Sequence, residues 1–267
     1  MGRGIAQVAA AAGHEVLLLD ALPGAAERGV EAIAADLRKL ATKGKLDPAD
    51  VEATLDRLSA LETLGDLAGA EVLIEAIHED LPTKQALFRE AGTVLAPGAL
   101  MASNTSALPV TALAAVAPDP GRVVGMHFFN PVPRMALCEI VRARQSSPEA
   151  VAEAEDLAQA LGKQTVTVGD TPGFLVNRVA RPYYLEAVRM LGAGEGDVAG
   201  IDASARAAGF PMGPFTLMDL IGIDVNLAVS RAVFDGMSGE PRFRPHVLQQ
   251  QQVHADPDQP VVQALDR

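Results

Sequence analysis

A single cysteine, Cys138, occurs in the 267 residues of the chain. That excludes an intrachain disulfide and any zinc or iron–sulfur site built on several thiolates, and it agrees with a reducing compartment. Long apolar runs are missing too. Nothing approaches the roughly 20 consecutive apolar residues that a membrane helix requires, and the N-terminus has no basic segment leading into an apolar core. The chain therefore reads as soluble, with no membrane partner, and the cytoplasm is the expected location. Positive charge is in deficit: 22 Lys and Arg face 34 Asp and Glu, a formal net charge of −12. A field of that sign repels polyanions, which argues against nucleic acid as a partner. The histidines, His14, His78, His127, His246 and His254, lack the spacing of a metal motif, so no bound metal is expected.

What is present is a hydrophobic fraction of 49%, enough for one large core or two modest ones. Residues 4–12 are strong helix formers, and Gly13 stands where a left-handed C-terminal cap belongs. His14 to Asp20 is a short apolar run closed by an acid, the pattern of a strand buried on both faces. After Pro23 an amphipathic helix is predicted to about Lys43, and a second helical stretch follows Asp47-Pro48. Further strands are predicted at 71–77, 99–102, 123–126, 137–141 and 164–168, with helices at 81–95, 109–116 and 148–161. This alternation predicts an α/β domain with a largely parallel sheet. Beyond Asp170 every signal is helical, so the domain boundary falls in the turn-forming Gly169–Pro172, giving domains 1–169 and 170–267. From Gln249 onward the sequence is Gln-rich, carries Pro257 and Pro260, and predicts a frayed tail.

A dinucleotide site sets a glycine-rich turn against a helix N-terminus, where backbone N–H groups hold the pyrophosphate. Met1-Gly2-Arg3-Gly4 supplies the helix start, and Asp20 lies at about the separation expected of the acid that binds the adenosine ribose. Spacing alone leaves this open. Gly2 and Gly4 serve equally as close-packing positions, and Asp20 as a strand-end acid. In the cofactor reading, Asp20 favours NAD over NADP, because a carboxylate repels the additional 2′-phosphate. Three polar clusters follow predicted strand ends: Ser103–Ser106, Met126–Pro133 and Cys138-Glu139. Singly they read as an N-cap, a core histidine and an acid in a strand. Together, His127 and Glu139 from adjacent strand ends form the arrangement that a general base needs.

Through MGRGIAQVAAAAGHEVLLLD, EAIHEDLPTKQALF, ASNTS, MHFFNPVP, DTPGFLVNR and GFPMGPFTLMDLIGID, the sequence resembles the 3-hydroxyacyl-CoA dehydrogenase family to about residue 255. The resemblance implies a Rossmann-type NAD-binding domain followed by an all-helical domain for substrate binding and dimerisation. Family members carry a strand and a Gly-x-Gly turn ahead of the methionine found here as Met1, so a sheet lacking that strand is expected. The implied activity is oxidation of L-3-hydroxyacyl-CoA to 3-oxoacyl-CoA by NAD, as in fatty-acid β-oxidation, by a homodimer with an acyl-CoA partner.

Carried over residue by residue, the resemblance makes His127 the general base and Glu139 the group that orients it. Ser106 and Asn177 contact the reacting oxygen. NAD lies against Gly2, Asp20, Glu79, Lys84, Ser106 and Asn130, and Lys43, in the basic stretch with Arg38, Lys39 and Lys45, holds coenzyme A. Plainer readings stand beside these. Glu79 and Asp80 can start the helix containing Lys84, Asn130 can cap a turn, and Lys43 can be part of a solvated face. Phe174, Leu175, Met212, Phe215 and Leu217 read as packing residues. The family's basic, glycine-containing C-terminal stretch is replaced here by Asp256-Pro257-Asp258-Gln259. Two other functions stay open: a dehydrogenase of a 3-hydroxy acid without CoA, and an inactive remnant.

Overall fold

The computed structural model describes residues 1–255 and divides into two compact units, Met1–Asp170 and a second beginning at Thr171. In the first, helix α1 (Gly2–Ala11) stops where Gly13 turns to φ +98°, a left-handed conformation that glycine adopts without a Cβ penalty. Strand β1 (Val16–Leu19) and helices α2 (Ala25–Thr42) and α3 (Pro48–Leu55) follow. Asp47 starts α3 by accepting the Ala49 N–H, with Pro48 at the first helical position. Strand β2 (Leu58–Leu61) was not expected from the sequence. Leu-Ser-Ala-Leu has no β-branched or aromatic residue, and it becomes a strand by pairing in parallel with β1, Val16 opposite Leu58.

The remaining elements of this unit are β3 (Val72–Glu75), α4 (Leu81–Ala91), β4 (Leu100–Ser103), α5 (Val110–Ala114), β5 (Val123–Phe128), β6 (Leu137–Arg142), α6 (Pro148–Ala160) and β7 (Gln164–Gly169). Strands β3-β4-β5-β6-β7 form one sheet in that order, and β1-β2 form another. Pairing is parallel except between β5 and β6. The physical reason is the loop 129–136, which is too short for the crossover that a parallel pair needs.

Among the described residues β1 and β3 are not hydrogen-bonded neighbours. Helix α1 packs on both sheets: Ile5 joins the core of Leu100, Ala102, Met126 and Ile140, while Ala6 and Ala10 join Ile33, Leu37 and Val51. Strands flanking the interruption are only partly buried, with Leu17 40% exposed, whereas β4 and β5 are buried throughout.

The second unit is helical: α7 (Val176–Gly192), α8 (Val198–Ala207), α9 (Pro214–Ile221), α10 (Ile223–Gly236) and α11 (Val247–Ala255). Tyr184, Val188, Ile201, Phe215, Met218 and Ile223 form its core. Asp202 accepts the Phe215 and Thr216 N–H groups at 2.8 and 3.0 Å and so caps α9. A Cβ at Gly213 would lie 2.2 Å from the Asp202 Cγ, which is why the turn before α9 takes glycine. Of the residues read as packing, Phe174 and Phe215 are buried, whereas Leu175 is 42% exposed.

Helix α11 corrects the frayed tail over residues 249–255. Gln249 is fully buried, and its Nε2 donates to Asn226 Oδ1 at 3.2 Å, a tertiary anchor that hydrophobic periodicity does not report. The rest of that expected tail, with Pro257, Pro260 and Asp256–Gln259, lies outside the described residues. No described helix is long and apolar enough to cross a membrane.

Candidate active site

His127 and Glu139 sit directly opposite each other in the antiparallel register of β5 and β6. Opposed residues of such a pair project to the same face with their Cβ atoms about 5 Å apart. The short 129–136 loop thus sets up the pair. His127 Nδ1 and Glu139 Oε2 are 2.6 Å apart, with His127 4% exposed and Glu139 fully buried. Donation of Nδ1–H to the carboxylate fixes the tautomer and makes Nε2 the basic nitrogen. The Phe129 ring lies 4.5 Å from the imidazole, tilted by 55°. Burial, with Glu139 adjoining, pushes the Cys138 thiol up to about 12, so it stays protonated and unreactive at neutral pH.

A second set of buried charges anchors the loop after β4. Lys84, at the core-facing side of α4 and 1% exposed, places its ammonium 2.9 and 3.1 Å from the two oxygens of Glu75 and 3.0 Å from Glu79. Ser103 Oγ donates to Glu75 at 2.6 Å. Glu79 accepts from the Thr105 hydroxyl at 2.6 Å and from the Ser106 and Ala107 N–H groups at 2.9 and 3.2 Å. Burial alone would raise the Glu79 pKa, but the Thr105 hydroxyl, Lys84 and the Ser106 amide together hold it below the usual carboxylate value. Asn104 Oδ1 accepts the Phe128 N–H at 2.8 Å, joining this loop to the residue after His127. Asp80 caps α4 by accepting from Thr83 N, as the plainer reading of Glu79-Asp80 had it.

Glu75 and the capping role of Asp170 escaped the sequence reading, and Asn104 was read only as a member of the Ser103–Ser106 cluster. Asp170, read only as part of a boundary turn, accepts the Val110 and Thr111 N–H groups at 3.1 and 2.7 Å and caps α5. Glu75 had a signal: an acid closing the apolar run Val72-Leu73-Ile74 in a buried strand must find a partner.

Near the start of the chain, a Cβ on Gly4 would meet the Val132 Cβ at 3.0 Å, so Gly4 is a close-packing position against the loop after β5. Gly2 is exposed at the α1 N-terminus, its nearest neighbour for a Cβ being Ala76 at 3.7 Å, an ordinary contact. Asp20 is exposed just past β1, with Oδ1 accepting the Leu22 N–H at 2.9 Å. Asn130 is exposed beyond β5 and Lys43 beyond α2. Arg38 is engaged by Glu52 through two 3.0 Å bonds. Beside that pair a depression of about 280 Å³ is lined by Arg38, Ala41, Thr42, Pro48, Val51 and Glu52, none of them in the His127 site. The structure thus joins His127 with Glu139, and Ser106 with Glu79 and Lys84. Asn177 is the second residue of α7, in the helical unit.

Residues 1–171 match the model described as 3-hydroxyacyl-CoA dehydrogenase, NAD binding domain, and residues 173–257 match the corresponding C-terminal domain. The chain belongs to the 3-hydroxyacyl-CoA dehydrogenase family. It is similar to the 3-hydroxyadipyl-CoA dehydrogenase of Escherichia coli K12, with 47% identity over 95% of this chain and 54% of that one. It is also similar to the probable 3-hydroxybutyryl-CoA dehydrogenase of Bacillus subtilis strain 168, with 39% identity over 96% of this chain and 89% of that one. Among solved structures, the (S)-3-hydroxybutyryl-CoA dehydrogenase of Ralstonia eutropha aligns with a TM-score of 0.92 and 38% identity, covering 96% of this chain and 90% of the other. The chain therefore spans about half the length of the Escherichia coli relative and nine-tenths of the other two. In 3-hydroxyacyl-CoA dehydrogenase terms, the match covers both the α/β and the helical unit.

Proposed function

We propose that this chain oxidises an L-3-hydroxyacyl-CoA to the 3-oxoacyl-CoA with NAD as the hydride acceptor. The observation that carries the reading is the buried His127–Glu139 pair, a histidine oriented by a carboxylate at 2.6 Å. His127 Nε2 takes the proton of the C3 hydroxyl, and Glu139 stabilises the resulting imidazolium and holds the ring in place. Ser106, whose N–H is tied to Glu79, and Asn177 hydrogen-bond the oxygen as it becomes a carbonyl. NAD, when bound, takes the hydride from the same carbon.

The residues around that cofactor suit it. Gly2 leaves the first turn of α1 open to a phosphate, and the exposed Asp20 is available to ribose hydroxyls. Glu79 and Asn130 complete the set. Lys84 serves the cofactor through Glu79 and the Ser106 loop, since its ammonium is committed to two carboxylates. Coenzyme A is favoured over a free acid by Lys39, Lys43 and Lys45, exposed cations grouped on a chain of net charge −12. A homodimer and a cytoplasmic location belong to the same reading and rest on the resemblance and the single cysteine.

Steady-state NADH formation tests it, with 3-hydroxybutyryl-CoA set against free 3-hydroxybutyrate and NAD against NADP. The CoA ester and NAD are the expected preferences. Equal turnover of the free acid removes the CoA assignment, and a preference for NADP removes that of Asp20.

A further inference from the structure

Lys163 stands between the end of α6 and the start of β7 and is 8% exposed. Its backbone is fixed without help from the side chain. Gly162 turns to φ +74°, the Lys163 N–H donates to the Ala158 carbonyl at 2.9 Å, and the Gln164 N–H donates to the Ala136 carbonyl at 2.7 Å. The side chain goes to the 129–136 loop instead, where Nζ donates to the Val132 carbonyl at 2.6 Å and to the Met135 carbonyl at 3.0 Å. Among the described residues no carboxylate pairs with it, and the titratable group that acts on it is the Cys138 thiol, which stays protonated. A buried ammonium held by carbonyl groups alone gains little for the fold, since an apolar residue in such a place is often as stable. What it supplies is a fixed position for the loop.

That position matters on the other side of the loop. Val132 is 2% exposed, and a Cβ at Gly4 would lie 3.0 Å from the Val132 Cβ and 3.6 Å from the Pro133 Cδ, so the first turn of α1 rests against this segment. The Pro131 carbonyl accepts the Arg134 and Met135 N–H groups at 2.9 and 3.1 Å, which closes 131–135 into one turn. Lys163 grips that turn at two of its carbonyls, with Asn130 at its entrance and Val132 facing α1. The His127–Glu139 pair is held separately, by the β5–β6 register and by the pairing of β6 with β7 from Leu137 onward.

Resting on the reading of this chain as an NAD-dependent dehydrogenase, we propose that Lys163 is a positioning residue for the cofactor. It fixes the 131–135 turn against the N-terminal turn of α1, and so preforms the side of the site that meets the dinucleotide.

The test is fluorescence titration of NADH, with calorimetric binding of acetoacetyl-CoA in parallel, on the unaltered protein, Lys163→Met and Lys163→Gln. Loss of hydrogen bonds from a charged donor predicts an NADH Kd raised roughly 10-fold or more in Lys163→Met. Lys163→Gln, which keeps a neutral donor, should show a smaller rise, and acetoacetyl-CoA affinity should be unchanged in both. In turnover the KM for NAD should rise, while kcat at saturating NAD and its pH profile stay as they are. Equal NADH affinity in Lys163→Met and the unaltered protein overturns the proposal and leaves the dehydrogenase reading intact. A parallel loss of NADH and acetoacetyl-CoA affinity, or a fall in kcat at saturation, is the signature of general damage and overturns it as well. If Lys163→Met does not fold, Lys163→Gln decides by the same comparisons. An unaltered protein that binds no NADH removes the cofactor reading, and this proposal with it.

Discussion

In the N-terminal unit the buried Lys84 ammonium is shared between Glu75 and Glu79, and His127 is held by Glu139, whereas in the helical unit the buried Arg181 meets a carbonyl, a hydroxyl and an aromatic face. The first pattern is closed. Every carboxylate oxygen of Glu75 and Glu79 has a donor within the unit, and the network fixes the loop that carries Ser106. The Arg181 pattern is open, with donors left over. A closed network of buried charge satisfies its donors and acceptors within the unit, while an open one leaves a buried donor unpaired at a cost in stability.

The largest test of the closed side is His127→Gln, which should lower kcat by about 10²–10⁴-fold, the usual contribution of a general base. Glu139→Gln should act in the same direction, and the double substitution should cost far less than the product of the two. Fully multiplicative losses in steady-state kinetics would reduce the pair to two neighbours in a sheet.

Stability comes next. Lys84→Met leaves Glu75 buried without its cation and should cost about 3–5 kcal/mol in urea unfolding. Arg181→Met, which strips no acid of its partner, should cost roughly 1 kcal/mol or less, since an apolar replacement for a buried ion is often neutral. Equal losses in the two variants would erase the distinction between closed and open.

The smallest effect is in acid. Glu79 has a folded pKa held below its unfolded value, so its contribution is fully present above the ordinary carboxylate range near pH ~4.3 and is lost as pH falls through the lowered folded value. The pH dependence of unfolding free energy in Glu79→Gln should be flatter than in the unaltered protein across that window. Its side chain is 41% exposed, and solvent screening keeps the difference small.

Much of this was legible beforehand because it is written in local pattern. Gly13 as a left-handed stop, Asp47-Pro48 as a helix start, the apolar runs of β3 to β7 and the uniformly helical region after Asp170 all depend on near neighbours in the chain. The strand β2 and the helix α11 were not, because Leu58–Leu61 and Val247–Ala255 take their form from partners distant in sequence, β1 and Asn226.

The same division holds for the candidate site. Composition, strand-end position and motif identified His127, Glu139, Ser106 and Asp20 as residues with the right chemistry. That Glu139 faces His127 was decided by an antiparallel register, which follows from a loop too short to cross over. That Lys84 is enclosed by Glu75 and Glu79, and Arg181 by no acid among the described residues, was decided by which side chains tertiary packing brings together. Sequence determines the donors and acceptors a chain possesses, whereas burial decides which must be satisfied and by what, because only in a dry interior does an unpaired charge or donor carry a large penalty.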